Sequence, residues 1–437
     1  MNRRRRIWAT TIISLILVLA IASASFTAGY VVGHANASSN TTASSAQPTA
    51  TVPGFDIFWQ AWNLVQKNYV DQKAVNTKTL TYGAIQGMID SLGDVGHSRF
   101  LTPAELSDEQ QSLSGTLEGI GAEISTKDGQ PVIVAPIAGS PALKAGIKPG
   151  DLILKVNGKD VTSMSLDDIV NLVRGPAGTS VTLTVMHSGE TVQHDITIVR
   201  AKITVPSVTW AILPGTHIAH ILVSQFATNA TADLISAVDN ARQAGATSIV
   251  LDLRNDPGGL LDESVGVTSQ FVKQGNVLLV QDAQGKRTPV TVRSGGNAIN
   301  IPMVVLVNNG TASAAEIVAG ALQDHQRAKL IGETTFGTGT VLSTYHLSDG
   351  SAILLGTEEW LTPNGRQIWH NGIKPDISVT LPSGAAPLIP EQESTMTADQ
   401  LQKSQDTQLL RAIQELNGSP SPATTPAATT PTATTAP

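Results

Sequence analysis

The sequence of 437 residues contains no cysteine. This excludes disulfide bonds, thiol catalysis and cysteine–metal sites, and it leaves the redox compartment undetermined. Aromatic residues amount to only 4%, so no stacking platform for bases or sugars is predicted. Charged residues amount to 14% with a net charge of −7, and no basic block follows the first six residues. Nucleic acid is therefore not expected as a partner, and the Ala-, Thr-, Val- and Gly-rich composition is typical of an α/β protein with two or three domains.

The amino-terminal residues combine a basic cluster, Arg3 to Arg6, with an uncharged apolar run from Ile7 to about Val32. A run of about 26 residues is long enough to cross a bilayer, and the arginines before it favour a cytoplasmic amino terminus. Two interpretations stay open: an uncleaved anchor, which fits the length better, or a signal peptide cleaved near residues 35–37. The sequence thus predicts a single-pass cell-membrane protein with the rest of the chain outside the cytoplasm, or alternatively a secreted protein.

Composition and hydrophobic spacing divide the chain into six predicted segments. A Ser/Thr/Ala-rich linker precedes a stretch with helical spacing, and a Pro/Thr/Ala-rich tail ends the chain and is predicted to be disordered. The predicted segments are 1–33 (membrane anchor or signal), 34–54 (flexible linker), 55–113 (helical region), 114–200 (β-rich domain), 201–385 (α/β core) and 386–437 (helical stretch and disordered tail).

Short strands alternate with turns between about Gly115 and Arg200, and the run from Ser140 to Gly158 is the most specific part. This segment resembles a PDZ domain. The resemblance implies that a loop of backbone amides binds the carboxylate of a peptide carboxyl terminus, while the peptide adds as a strand to a sheet edge. The alternative is a small β-barrel with an empty groove. The loop consists of Gly119, Ile120, Gly121 and Ala122.

Strands and helices alternate from about Ile218 to Val379, which predicts a layered α/β core. Within it, the apolar run Met303–Val307 predicts a buried strand, and a small-residue helix is expected from about Ala314 to Asp324. Ser313 then lies at a helix amino terminus, where unpaired N–H groups favour negative charge. A serine placed there can attack a carbonyl while nearby amides hold the oxyanion. The alternative is that Ser313 only caps the helix.

Six motifs in order, between Asp252 and Asp376, resemble the carboxyl-terminal processing (tail-specific) serine proteases, and the likeness runs from about residue 55 to residue 380. The resemblance implies a layered α/β serine-protease core with an inserted PDZ domain and an amino-terminal helical segment. It also implies that Ser313 is the nucleophile and that backbone amides at Gly258, Gly259 and Ala314 are oxyanion donors. The motifs are Asp252-Leu253-Arg254 with Pro257-Gly258-Gly259-Leu260, Thr311-Ala312-Ser313-Ala314, Arg327-Ala328, residues 332–337, residues 361–365 and residues 372–376.

One position departs from this family pattern. The family usually activates its serine with a lysine in Phe-Gly-Lys-Gly, supported by a glutamine four residues later, and here these positions hold Thr338 and Leu342. A threonine hydroxyl is far too weak a base to take a proton at neutral pH, so the serine–lysine mechanism is unavailable. Two explanations remain: an inactive pseudoprotease that still binds tails, or another residue that supplies the base.

His97 is the strongest candidate for that base. In the related tricorn-type branch, a histidine from the comparable segment is the base, supported by a glutamate from a strand near the carboxyl terminus; Glu358 matches that description. The hypothesis is a triad in which Ser313 attacks, His97 shuttles the proton and Glu358 orients the imidazole. Alternatively, His97 only bonds to backbone and Glu358 is a surface carboxylate. His325 and His346 are weaker rivals.

The predicted partners are polypeptides with free apolar carboxyl termini, cleaved through an acyl-enzyme, and the membrane through the amino-terminal helix. No cofactor is expected. No metal site is predicted, because the histidines and carboxylates lack ligand spacing, and Gly258-Gly259 lacks the lysine of a phosphate loop. The sequence leaves the oligomeric state and the physiological substrate open.

Overall fold

A computed structural model describes residues 54–94, 97–127, 129–137 and 139–418. The described residues form two compact units, one that ends at residue 80 and one that begins at residue 81. The predicted membrane segment, most of the predicted linker and the Pro/Thr/Ala-rich tail lie outside the described residues.

The prediction of a single-pass cell-membrane protein is corrected. Among the helices in the described ranges, none is long and apolar enough to cross a membrane. The three longest, Phe55–Asn68, Thr77–Asp90 and Ala230–Gln243, have 14 residues each, whereas a spanning helix needs about 20. The structure therefore gives no support to a membrane anchor.

The first unit contains helix α1 (Phe55–Asn68) and the start of α2 (Thr77–Asp90). Aromatic side chains three and four residues apart meet along α1, as helical spacing predicts. The ring of Phe58 lies 5.1 Å from that of Phe55 and 5.9 Å from that of Trp62. The predicted helical character of this stretch is confirmed.

Three short elements lead into the inserted domain: β1 (Arg99–Leu101), α3 (Pro103–Leu113) and β2 (Thr116–Gly119). A capping box starts α3, because the Glu105 carboxylate accepts from the Thr102 amide at 2.8 Å while the Thr102 hydroxyl accepts from the Glu105 amide. Gly115, with a φ of 64°, follows the helix and allows the chain to turn into β2.

The inserted domain is a small β structure whose core includes Ile133, Ile153 and Leu183. Its sheet has the order β3–β4–β5–β7–β8, which leaves β3 at an edge. Its elements are β3 (Ala122–Lys127), β4 (Gln130–Pro136), α4 (Pro141–Lys144), β5 (Leu152–Val156), β6 (Lys159–Asp160), α5 (Leu166–Val173), β7 (Ser180–Met186) and β8 (Gln193–Val199). The chain leaves through β9 (Ala201–Thr204), which pairs antiparallel with β2.

The α/β core begins after β9, and its strands and helices match the predicted alternation. Its elements are β10 (Val208–Ile212), β11 (Ile218–Val223), α6 (Ala230–Gln243), β12 (Ser248–Asp252), α7 (Leu261–Phe271), β13 (Asn276–Gln281), β14 (Arg287–Thr291), β15 (Met303–Val307), α8 (Ala314–Asp324), β16 (Lys329–Gly332), β17 (Thr340–His346), β18 (Ala352–Leu361) and β19 (Ile377–Ser378). The layered α/β fold with an inserted PDZ domain is thus confirmed, whereas the exact domain boundaries stay predictions.

The main sheet positions the candidate nucleophile. Its order is β10–β11–β12–β15–β16–β19, and all its neighbours except β10 and β11 are parallel. The fully buried strand β15 is a continuous apolar run, as expected of a strand covered on both faces. Because β12 and β15 are parallel neighbours, with Asp252 opposite Leu306, the loops that follow them emerge side by side at one sheet edge.

A second sheet, with the order β1–β18–β13–β14 and β17 paired to β18, brings the His97 segment to the core. Strand β1 begins two residues after His97 and pairs with β18 through Arg99 opposite Leu354. Strands β17 and β18 contain a register shift between Val341 and Leu342. The shift places one extra residue in β18 and changes where its side chains point.

Three short helices end the described chain: α9 (Pro390–Glu393), α10 (Ala398–Gln402) and α11 (Thr407–Gly418). Leu401 and Leu409 pack into a cluster that includes Leu306 of β15. Buried polar contacts also join this part to β12, since Arg254 donates to Asp406 at 2.8 Å. The carboxyl-terminal helices are therefore part of the same core as the central sheet.

Candidate active site

Ser313 lies in the turn between β15 and α8, directly before the first residue of the helix. Its φ of 51° and ψ of −118° are rare for a residue with a side chain, and such a backbone costs on the order of 1–3 kcal/mol. The Ser313 side chain makes no capping hydrogen bond. Its hydroxyl is therefore not used to hold the helix terminus.

Glu316, one turn into α8, holds this strained backbone. Its fully buried carboxylate accepts from the Ser313 amide at 3.1 Å, from the Gly337 amide at 2.8 Å and from both the amide and the hydroxyl of Thr338, and it also accepts from the Thr335 hydroxyl. The Thr338 hydroxyl in turn accepts from the Ser313 amide at 2.8 Å. The threonine at the lysine position thus fixes the backbone of Ser313.

Gly258 packs directly against Ser313. A Cβ added to Gly258 would lie 2.7 Å from the Cβ of Ser313, so only glycine fits this approach. The Gly258 amide donates to the side chain of Asp256 at 2.8 Å, which removes it from the set of free donors. Across the described residues, the amides of Gly259 and Ala314 have no hydrogen-bond partner. Gly258 thus lies against Ser313, and the unbonded amides belong to Gly259 and Ala314, which line the same cleft.

A cleft of about 850 Å³ opens in front of Ser313. His97 lines the same cleft, although it lies more than two hundred positions before Ser313 in the sequence. Apolar side chains also line it, among them Leu260, Ile317 and Val341. The cleft therefore combines a serine, a histidine, free amides and an apolar wall.

The imidazole of His97 is buried, and its polar contacts are made through the Nδ1 atom. Its Nδ1 atom contacts the Thr340 hydroxyl, and the Asp94 carboxylate lies 4.0 Å from the same nitrogen. Within the described ranges, Nε2 has no partner. Burial lowers the pKa of His97 below its ordinary value of 6.5, although the Asp94 charge opposes this and Arg99 adds to it. The neutral ring therefore predominates at neutral pH.

The structure does not bring Glu358 to this pair. Its side chain is exposed and does not line the Ser313 cleft; it lines a neighbouring cavity of about 360 Å³, which Asp94 and Thr340 also line. The register shift in β17 and β18 explains this outcome, because the extra residue re-aims the side chains that follow it. Asp94 is the carboxylate that lies near His97, anchored by the Ser98 hydroxyl and amide.

The rival histidines occupy different positions. His325 bonds through Nε2 to the Asn276 carbonyl at 2.7 Å, at the far end of α8 from Ser313. His346 lines the Ser313 cleft, but its side chain is exposed, near the end of β17. Among the described residues, no group of three or more His, Asp and Glu side chains is placed to hold a metal ion.

Several residues of the site were not found from the sequence. The spacing of Ser313 and Glu316 matches a capping box, which is a local signal that Glu316 would reach back to the helix terminus. No such signal marks Thr340, Asp94 or Asp256. Thr340 contacts His97 from a distant strand. The contacts of Asp94 with His97 and of Asp256 with Gly258 depend on the shape of a turn.

The predicted carboxylate-binding loop lies between β2 and β3. The carbonyls of Ile120 and Gly121 accept from Ala142 and Ile137, whereas the amides of Ile120 and Gly121 have no partner in the described part of the chain. Gly121 has a φ of 74°, and a Cβ there would lie 2.5 Å from the Cβ of Ser140. The loop therefore has free donors next to the edge strand β3.

Comparisons with known proteins agree with these features. The sequence profile of Peptidase family S41 matches residues 217–379, that of the PDZ domain matches 132–186, and that of the Activating protease CtpB N-terminal domain matches 19–100. A solved structure of a putative S41 protease from Bacteroides fragilis, 17% identical, covers 82% of this chain and 97% of that chain with a TM-score of 0.50, which shows a similar fold.

Two relatives are more similar in sequence. The carboxy-terminal processing protease CtpA of Bacillus subtilis is 38% identical over 354 residues, which cover 81% of this chain and 73% of that protein. The carboxyl-terminal-processing protease of Synechocystis sp. is 37% identical over 345 residues, 78% of this chain and 79% of that protein. This chain is a serine-type peptidase that belongs to the carboxyl-terminal processing proteases of peptidase family S41.

Proposed function

We propose that this peptidase cleaves polypeptides with Ser313 as nucleophile and His97 as general base, after recognising free carboxyl-terminal tails through its PDZ domain. The observation that carries this proposal is that His97 and Ser313 line one cleft while Thr338, at the lysine position, is bound to the Ser313 backbone. A histidine base suits neutral pH because its ordinary pKa lies near the working range.

The proton path follows from the contacts of His97. With Nδ1–H donating to the Thr340 hydroxyl, Nε2 is left with a lone pair that takes the proton of the Ser313 hydroxyl. Ser313 then attacks the peptide carbonyl, and His97 returns the proton to the leaving amine. A water molecule hydrolyses the acyl-enzyme by the same path. Asp94 supports the charged imidazolium in the role that Glu358 was expected to fill.

The oxyanion of each tetrahedral intermediate is held by the amides of Gly259 and Ala314. Both are unbonded among the described residues and belong to residues that line the Ser313 cleft. Ala314 is the first residue of α8, so the helix dipole adds to the favourable field at this point. Such donors contribute about 3–4 kcal/mol each to transition-state stabilisation in serine proteases.

Tail recognition is supported by the loop before β3. The free amides of Ile120 and Gly121 suit a carboxylate, and the edge position of β3 leaves a row of backbone groups for an added strand. The Ser313 cleft also shares lining residues with a cavity of about 1100 Å³ that reaches Arg174 and Gly175 beside the PDZ helix α5. The Ser313 cleft thus adjoins a cavity that extends to the PDZ domain next to α5.

The catalytic assignment is tested with the full chain and labelled casein, an unfolded protein. Wild type, Ser313→Ala, His97→Ala and His346→Ala are compared, where His346 is the matched control because it lines the same cleft. We expect Ser313→Ala and His97→Ala to lose at least about a thousandfold in kcat and His346→Ala to stay near wild type. Full activity of His97→Ala would refute the histidine base. Inactive wild type that still binds tails would favour the pseudoprotease.

The supporting carboxylate is tested with Asp94→Asn and Glu358→Gln. We expect Asp94→Asn to lower kcat and Glu358→Gln to leave it near wild type, because of these two carboxylates Asp94 is the one that lies 4.0 Å from the Nδ1 atom of His97. The opposite result would restore the triad predicted from the sequence.

Tail recognition is tested by comparing peptides that end in a free carboxylate or an amide. Gly121→Ala is expected to weaken binding of the free-carboxylate peptide about tenfold or more, since the added Cβ meets Ser140 and Ile203. Gly129→Ala is the matched control, with a similar φ of 76° and open space around the added Cβ. Equal binding of both peptides by wild type would exclude carboxylate recognition.

A further inference from the structure

Asp256 is a buried carboxyl group that the mechanism above does not use. It is 0% exposed and lies two residues before Gly258, in the loop that follows β12. Its Oδ1 atom accepts from the Gly258 amide at 2.8 Å, whereas Oδ2 has no hydrogen-bond partner in the described part of the chain. Burying an oxygen without a hydrogen-bond partner costs free energy, and the cost is smaller when the carboxyl group is uncharged.

The contacts of Asp256 join both sides of the oxyanion hole. Its side chain holds the Gly258 amide, which sets the turn that presents the next amide, that of Gly259. Its backbone carbonyl accepts from the Ala312 amide at 2.9 Å, directly before Ser313. One residue thus connects the glycine turn to the nucleophile turn, although the two loops follow different strands.

We propose that Asp256 is a positioning residue for the oxyanion hole, acting as a neutral carboxyl that holds the Gly258 amide and so leaves the Gly259 and Ala314 amides to the substrate oxygen. This inference rests on the oxyanion donors proposed above. A neutral carboxyl satisfies the Gly258 amide through its carbonyl oxygen and places no negative charge beside the developing oxyanion. An ionised carboxylate at this position would oppose the charge that the hole must stabilise.

The surroundings of Asp256 favour the neutral form. Burial raises the pKa of the Asp256 carboxyl well above its usual range; the Gly258 amide opposes this, and the charge of Asp252 adds to it. The nearby Arg254 is bound to Asp252 and Asp406. On the side of α8 the charged group is Glu316, whose carboxylate is held by its own donors, and across the cleft lies His97.

The test compares Asp256→Asn with Asp256→Ala in the full chain, using kcat and KM for labelled casein at about pH 7. Asparagine keeps the carbonyl oxygen and has no charge, so its kcat is expected within about threefold of wild type. Alanine removes the acceptor, and its kcat is expected to fall at least about tenfold, with KM little changed, because only the transition state uses the hole. Asp160→Ala is the matched control, since Asp160 makes the same type of bond to the amide two residues later, far from the cleft.

Three results would overturn the inference. Wild-type kcat in Asp256→Ala would show that the carboxyl positions nothing. A loss in Asp256→Asn as large as in Asp256→Ala would show that the negative charge is needed. The third result is a change with pH in the ratio of the wild-type kcat to the Asp256→Asn kcat. If this ratio changes about tenfold between about pH 6 and about pH 8, the carboxyl group ionises in this range. Thermal melting of each variant separates these results from unfolding.

Casein cleavage by Ser313→Ala, measured in the same experiment, separates failure of this inference from failure of the proposed function. If Ser313→Ala still cleaves casein, the nucleophile assignment itself is wrong. If Ser313→Ala is inactive while Asp256→Ala is fully active, only the role of Asp256 is refuted.

Discussion

The backbone amide of Ser313 donates to the hydroxyl of Thr338 at 2.8 Å. The position that usually provides the lysine base in this family therefore provides an anchor for the nucleophile turn in this chain. The same hydroxyl donates to Glu316 at 2.8 Å, so it links the strained residue to the carboxylate that organises the loop. Thr338 thus has a structural contact at the position where the family has its catalytic base.

Replacing Thr338 by valine should destabilise the protein and slow catalysis. Valine has nearly the same shape, but it leaves the Glu316 carboxylate short of one donor and the Ser313 amide short of one acceptor, in a buried place. We expect a loss of about 1–3 kcal/mol in the free energy of unfolding and a lower kcat. Urea unfolding and casein cleavage measure the two effects. Thr338→Ser, which keeps the hydroxyl, should stay near wild type, and a stable, fully active Thr338→Val would contradict the anchoring role.

The pH dependence of kcat/KM should show an acid limb set by His97. Because burial lowers the pKa of His97, the midpoint of this limb is expected below 6.5. The enzyme is inactive when the ring is protonated, so activity rises with pH through this midpoint and then levels off. Profiles from about pH 4.5 to about pH 8 measure it. Asp94→Asn should move the midpoint lower, since the Asp94 charge raises the pKa, and a midpoint above 7 would argue against His97 as the base.

Gly258→Ala should abolish most of the activity. The added Cβ would lie 2.7 Å from the Cβ of Ser313 and 2.8 Å from the Ala314 amide, at a φ of 97°. Both the nucleophile and an oxyanion donor must then shift, and a shift of about 1 Å can cost roughly a hundredfold in rate. Gly295→Ala is the matched control, because its φ of 98° gives the same backbone strain with open space around the Cβ. Equal activity of the two variants would show that the close approach at Gly258 is unimportant.

The stability of the core should fall at alkaline pH because of His220. This buried ring bonds through Nε2 to Asp252 at 3.0 Å and through Nδ1 to Glu393 at 2.8 Å. Burial opposes protonation, but the two carboxylates outweigh it and raise the pKa of His220 from 6.5 to about 9. The stabilisation is complete below the unfolded pKa of 6.5 and is lost as pH rises through about 9.

The loss is expected to reach at most about 1.4 kcal/mol per pH unit between these values. Urea unfolding at intervals across this range measures it. His220→Gln should be less stable at neutral pH, because it leaves two buried carboxylates without their cation, and it should lose most of this pH dependence. His325→Gln is the control, because its ring bonds to a backbone carbonyl and, among the described residues, to no carboxylate. A pH dependence unchanged in His220→Gln would assign it to other groups.

Local patterns carried the strand and helix assignments. The apolar run Met303–Val307 and the small-residue helix Ala314–Asp324 were predicted with the bounds that the structure has, because a buried parallel strand and a helix each leave a clear signal in hydrophobicity. The position of Ser313 between them followed from those bounds.

Contacts between distant segments were not predictable in this way. Glu358 was expected beside His97, but a register shift between β17 and β18 turns it elsewhere, and nothing in a single strand's pattern signals such a shift. The role of Asp94 was missed for a related reason: its distance to His97 depends on the path of the loop between them, which no periodic pattern describes.

The sequence by itself determined the family, the α/β and PDZ composition, the serine at a helix terminus and the absence of the lysine base, because each depends on short segments read along the chain. Only the tertiary structure decided that His97 is the buried histidine of the Ser313 cleft, which amides remain unbonded and which carboxyl holds the Gly258 turn. These features arise where parallel strands bring separate loops to one sheet edge, and distances across such an edge are set by packing of the whole core.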